Sequence, residues 1–159
     1  MPSDFFGLPL HPLLVHATVV FVPLAVLTVI GAVLVPRFRS WDGPLPAAVS
    51  LIALILTPLS TASGENLEHD LPHSALIEKH AELGDQLLVF TIALFVFAAA
   101  FWWLTRSGVA ADRWPRWLVL GVGAVAVITA VATGVQVARI GHSGAEAAWS
   151  GVGSSASGG

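Results

Sequence analysis

The sequence predicts an all-α integral membrane protein, a four-helix bundle with both termini on the extracytoplasmic side. Three observations carry that expectation. Of 159 residues, 55% are hydrophobic and 11% are charged, whereas a soluble domain carries roughly a quarter charged residues. Such a chain cannot cover itself with polar surface, so lipid is its natural solvent. Four apolar runs approach the roughly 20 residues that cross a hydrocarbon core. The basic and acidic residues also segregate onto different connections between those runs.

The opening residues, MPSDFFGLPLHP, lack the positive start and small-residue cleavage site of a secretory leader, so the first run reads as a retained helix. That first span covers about Pro12 to Val35. Pro12 suits a first helical turn, where its missing N–H would be unpaired anyway. The second span covers about Ala47 to Ala62 and can extend through Ser63 and Gly64. Pro23 and Pro58 lie inside these spans and are expected to kink them. The third span covers about Leu83 to Leu104 and the fourth about Trp117 to Ala138, with Pro36, Pro44 and Pro115 at boundaries. None of the runs alternates strictly, which argues against membrane strands. Residues 1–149 therefore read as one transmembrane domain, and residues 150–159, SGVGSSASGG, as a flexible tail. The flanks of spans 1 and 3 do not match, so no internal repeat is recognised. Gly121, Gly123 and Gly134 permit close helix contact, within one chain or in a homo-oligomer.

Orientation follows from charge. Arg37 and Arg39 lie between spans 1 and 2, and Arg106, Arg113 and Arg116 between spans 3 and 4. The middle connection holds Glu65, Glu68, Asp70 and Glu78 against Lys79. The positive-inside rule puts the arginine-bearing connections in the cytoplasm, with Trp102, Trp103, Trp114 and Trp117 as an aromatic belt there.

On this map all six histidines fall at the outer end. His11 and His16 open helix 1, His69 and His73 lie in the outer connection, His80 opens helix 3 and His142 follows helix 4. His16 sits about 7.5 Å deeper than His11, and an ionisable group at that depth is expected to face the bundle interior or a partner. Carboxylates stand nearby at Glu65, Glu82, Asp85 and Glu146. Thr129, Thr133 and Gln136 share one face of helix 4, and Arg139 is expected to pair with an outer carboxylate.

Imidazole is the commonest metal ligand in proteins, and a pair from different helices can clamp a haem iron. The candidate metal ligands are His11, His16, His80, His142 and Glu65. The leading cofactor ligands are His16 and His80, with Gly84 one turn below His80 leaving room for a flat macrocycle. The cofactor would be haem b or a bare copper, zinc or iron ion. The absence of cysteine removes disulfides, thiolate sites, iron–sulfur clusters and c-type haem. The Glu-x-x-His spacing of di-iron bundles is missing, and Pro72 spoils a helical His69–His73 chelate. The cytoplasmic half has no histidine, which argues against a haem path across the membrane. No filter or charged midplane residue supports a channel or transporter, and a net charge of −3 offers nothing to nucleic acid.

Several segments resemble one bacterial membrane family, the domain of unknown function 2231. They are Leu10-His11-Pro12-Leu13-Leu14-Val15-His16, Ser63-Gly64-Glu65, His80-Ala81-Glu82-Leu83-Gly84-Asp85 and Gly141-His142-Ser143-Gly144-Ala145. Where that family carries Phe-Pro after the first motif, this chain has Ala17-Thr18. The resemblance covers nearly the whole chain except the tail. It implies a multi-pass protein of the bacterial plasma membrane and supplies candidate residues but no activity.

The leading expectation is thus a metal or haem b protein at the outer face, acting in electron transfer rather than as a catalyst, with a redox or membrane-complex partner. No catalytic residue is assigned. The rival is a non-enzymatic accessory subunit whose histidines and carboxylates form a hydrogen-bonded cap. A third reading is a pH sensor, since clustered imidazoles titrate near neutrality.

Overall fold

The computed structural model describes residues 4–5, 8–69, 74–106 and 113–149. The expectations for Asp70, Pro72, His73 and the tail 150–159 lie outside the described residues. A short antiparallel pair, β1 (Asp4–Phe5) with β2 (Leu8–Pro9), leads into α1 (Leu10–Leu34). The short α2 (Pro36–Asp42) follows, then α3 (Leu45–His69), α4 (Ala75–Thr105) and α5 (Arg116–Trp149). Four helices, all but α2, are long and apolar enough to cross a membrane.

The long helices outrun the hydropathy-based spans, mostly at the histidine-bearing end. At 1.5 Å per residue α4 is about 46 Å long and α5 about 51 Å, against a hydrocarbon core of roughly 30 Å. The added turns are polar. They carry Glu78, Lys79 and His80 on α4 and His142, Ser143 and Glu146 on α5. Ser74 caps α4 by accepting the Leu76 N–H at 3.3 Å. At the other end, α2 begins with Pro36 at its first turn and stops at Gly43, whose φ of +53° suits glycine. Helices α1 and α3 run on through Pro23 and Pro58.

The helices run alternately up and down in a ring. Helix α1 packs on α3 and α5, and α4 packs on the same two, while α1 and α4 barely meet across the diagonal. The core consists of small and branched side chains, including Val22, Ala25, Val29, Ala53, Leu94, Ala98, Ala126 and Ala130. Large apolar residues such as Val20, Leu27, Val89 and Ile128 face outward, as lipid contact requires. Of the three glycines expected at close contacts, Gly123 fits best. A Cβ there would sit 3.0 Å from Phe101 and 3.3 Å from Val33. Gly134 has ordinary clearance and Gly121 faces open space.

Buried hydroxyls are satisfied locally. Thr18, Ser50, Thr57 and Thr91 each donate to the carbonyl four residues back, at 2.7–3.1 Å. This lets polar side chains sit inside apolar helices without orphaned donors.

Candidate functional site

The starts of α1 and α4 and the ends of α3 and α5 share one end of the ring, and two histidines close it. His11 Nδ1 lies 3.0 Å from Ser63 Oγ, and His80 Nδ1 lies 3.0 Å from Ser143 Oγ. Each bond joins the two helices of one hairpin, α1 to α3 and α4 to α5. Each serine hydroxyl also donates to the carbonyl three residues back, Ser63 to Ser60 at 2.8 Å and Ser143 to Ile140 at 2.9 Å. A hydroxyl has one hydrogen to give. With that hydrogen committed, the oxygen accepts from the ring, so Nδ1 carries the proton in both histidines. Both Nε2 atoms therefore keep their lone pairs.

A glycine seats each ring. A Cβ on Gly64 would stand 3.0 Å from His11 Cε1, and a Cβ on Gly144 would stand 3.0 Å from His80 Cε1. A Cβ there would make the imidazole yield by a few tenths of an ångström.

The two clasps are copies. His80 stands 69 residues after His11, and the same offset pairs buried Thr18, Val22, Ala25, Val29 and Ala32 with buried Leu87, Thr91, Leu94, Ala98 and Phe101. Ser143-Gly144 stands 80 residues after Ser63-Gly64, and that offset pairs buried Pro46, Ser50 and Ala53 with buried Ala126, Ala130 and Thr133. Exchanging α1 with α4 and α3 with α5 leaves the pattern of neighbours unchanged. The fold thus has an internal two-fold along the helices, which the sequence reading did not recognise. Burial repeats although the residue types do not.

The family model described as "Predicted membrane protein (DUF2231)" matches residues 7–156. The chain belongs to the DUF2231 family. No curated protein and no solved structure matches it.

In this DUF2231 chain the remaining candidates are placed apart. His16 is exposed, and its ring bonds the Pro12 carbonyl on its own helix. Five residues turn a helix by about 140° beyond one full turn, so with His11 toward α3, His16 points away from the site. Of the two orientations expected for it, the bundle interior or a partner, exposure excludes the first. His142 is exposed and pairs with Glu146 at 3.2 Å, and Lys79 reaches the same carboxylate at 3.7 Å. Glu65 is exposed on α3, and His69 is the last residue of that helix. Gly84 does not border the His80 ring, since a Cβ there would meet only Thr61 of α3, at 3.9 Å. Among the described residues no three His, Asp or Glu groups gather closely enough to hold a metal ion.

Below the clasps, Gln136 is 2% exposed and donates to the Leu83 carbonyl of α4 at 2.9 Å, while Thr133 reaches the Phe90 carbonyl at 3.4 Å. Arg139 donates to Gln136 Oε1 at 3.4 Å rather than to an outer carboxylate. Sequence reasoning valued His11 and His80 but missed their working partners, Ser63 with Gly64 and Ser143 with Gly144. The repeated Ser-Gly pair near the ends of α3 and α5 was the available signal.

Proposed function

We propose that this DUF2231 chain is a membrane-embedded redox protein that binds haem b or a transition-metal ion at the histidine-bearing end, with His11 and His80 as ligands. The observation that carries the reading is the shared seating of the two rings, each with Nδ1 on a serine hydroxyl that donates its own hydrogen to a carbonyl. Metal-bound histidines usually donate their other ring N–H to a neighbouring acceptor, which fixes the ring and raises its basicity. Both imidazoles have that arrangement, with Nδ1–H on serine and the Nε2 lone pair kept. They stand on diagonal helices within electrostatic reach of one another. With two described ligands, haem b suits the pair better than a bare ion, because its porphyrin supplies four further nitrogens. A bare copper, zinc or iron ion needs additional ligands. The role assigned is electron transfer at the outer face of a bacterial plasma membrane, with both termini on that side.

The test is the absorption spectrum of the purified protein, alone and after haem addition. A Soret band lost in both His11→Ala and His80→Ala supports the haem reading. No band before or after addition, together with no copper, zinc or iron by elemental analysis, overturns the site altogether. Single cysteines at Ser40 and Ser74, in a chain with none of its own, test orientation. Ser74→Cys labelled from outside and Ser40→Cys labelled only from inside is the expected pattern.

A second reading has an observation of its own. Each histidine bridges two helix ends, and Lys79–Glu146 joins α4 to α5 beside it. This favours a hydrogen-bonded cap on an accessory subunit. It predicts that the His11→Ala, His80→Ala double variant keeps its membrane partner and that no metal is lost.

A further inference from the structure

The opposite end, which bears Arg37, Arg39 and Arg106, has a half-open cavity of about 690 Å³ between the end of α1, α2, the start of α3 and the end of α4. Its deep wall is apolar, formed in part by Val29, Ala32 and Ala98. Ser40 and Thr105 are satisfied by carbonyls of their own helices, whereas the charged groups of the lining are not so paired. Asp42 is 7% exposed, and its Oδ2 is buried with no hydrogen-bond partner among the described residues. Native structures rarely leave such an atom unpaired. Arg39 and Arg106 also line the cavity, and neither has a carboxylate within ion-pair distance among the described residues. Both guanidiniums lie against aromatic rings instead. Arg39 is 5.6 Å from the Phe101 ring centre and Arg106 is 3.4 Å from that of Trp103. Stacking positions a guanidinium while leaving its N–H donors free.

We propose that this cavity binds a phospholipid headgroup, with its phosphate between Arg39 and Arg106 and a hydrogen-bond-donating group on Asp42. Two guanidiniums match the oxygens of a phosphodiester. The neighbouring carboxylate repels a second anionic group and calls for a donor, either an ammonium or a hydroxyl. The apolar wall accommodates the first carbons beyond the glycerol. Exposed Trp41, Trp103 and Trp117 mark this end as the level where headgroups lie. The ligand class is therefore a phospholipid bearing an ethanolamine or glycerol head. Phosphatidylcholine, whose quaternary ammonium has no N–H, lacks the second contact.

The test is lipid retention by the full chain in mild detergent, read by native mass spectrometry. The probes are phosphatidylethanolamine, phosphatidylglycerol and phosphatidylcholine with matched acyl chains, and inorganic phosphate as a separate competitor. The two donor lipids should bind about tenfold more tightly than phosphatidylcholine, as expected for one charge-assisted hydrogen bond. Asp42→Asn should weaken the donor lipids several-fold, toward the phosphatidylcholine level, and leave phosphatidylcholine unchanged. Arg39→Gln with Arg106→Gln should weaken all three lipids by tenfold or more. Equal binding of the three lipids by the unaltered protein overturns the proposal without any variant. So does displacement of lipid by inorganic phosphate at equal concentration, which would make this a site for the free anion. Undiminished discrimination in Asp42→Asn removes Asp42 from the site and overturns the proposal as stated.

Discussion

The two hairpins close with the same histidine–serine bond, yet only one of them is reinforced further along. In the α1–α3 hairpin the bond through His11 is the one side-chain hydrogen bond described between the two helices. In the α4–α5 hairpin the ring rests on Ser143, while the helices are tied three more times, through Gln136, Thr133 and Lys79–Glu146. One hairpin relies on its clasp, and the other adds ties along its helices. A duplicated fold can keep its clasp and still divide the remaining duties unevenly.

The largest effects should come from removing the rings. His11→Ala is expected to lower stability by about 2 kcal/mol, since a half-buried tie and its packing go together. His80→Ala should cost roughly half as much, because the other ties of its hairpin persist. Thermal or denaturant unfolding in detergent measures both, and equal losses would break the contrast. Next come the serines. Ser63→Ala and Ser143→Ala should each free the ring that the serine holds, seen by nitrogen NMR as a mixture of tautomers. Gly64→Ala and Gly144→Ala should each cost about 1 kcal/mol, because the ring must yield by a few tenths of an ångström. Similar values in both would confirm that the seats are equivalent.

Asp42 offers a control far from both clasps. Burial pushes its carboxyl above the usual carboxylate range, partly offset by the Arg39 charge. A raised folded-state pKa means that the ionised form costs stability above that pKa. The cost is relieved as pH falls toward the ordinary range. Asp42→Asn should therefore raise the melting temperature at neutral pH, with the gain shrinking on acidification and the hairpin contrast unaltered. Smallest of all, Lys79→Ala should change stability by less than about 0.5 kcal/mol, since both partners of that ion pair are well exposed.

The membrane class, the four spans and the segregation of arginines from histidines were legible because hydropathy and charge act locally along the chain. Gly123 was legible for the same reason, as a small residue in an apolar run. What escaped depended on rotation and on distance along the sequence. His16 was ranked by depth, but depth says nothing about which way a helix faces, and the 140° turn from His11 puts it on the wrong side. The polar extensions of α4 and α5 went unseen because hydropathy registers only the length that lipid covers. The seven residues of α2 are too few and too charged to show a period. The repeat was hidden for a different reason. His11 and Ser63 are 52 residues apart while His80 and Ser143 are 63 apart, and an alignment without a gap never superposes both.

Because each hairpin fastens its own end, neither clasp depends on the connection between α3 and α4. The two halves are separable modules, and a chain cut in that connection should reassemble from its pieces. Loss of one clasp should therefore leave the other hairpin's clasp in place.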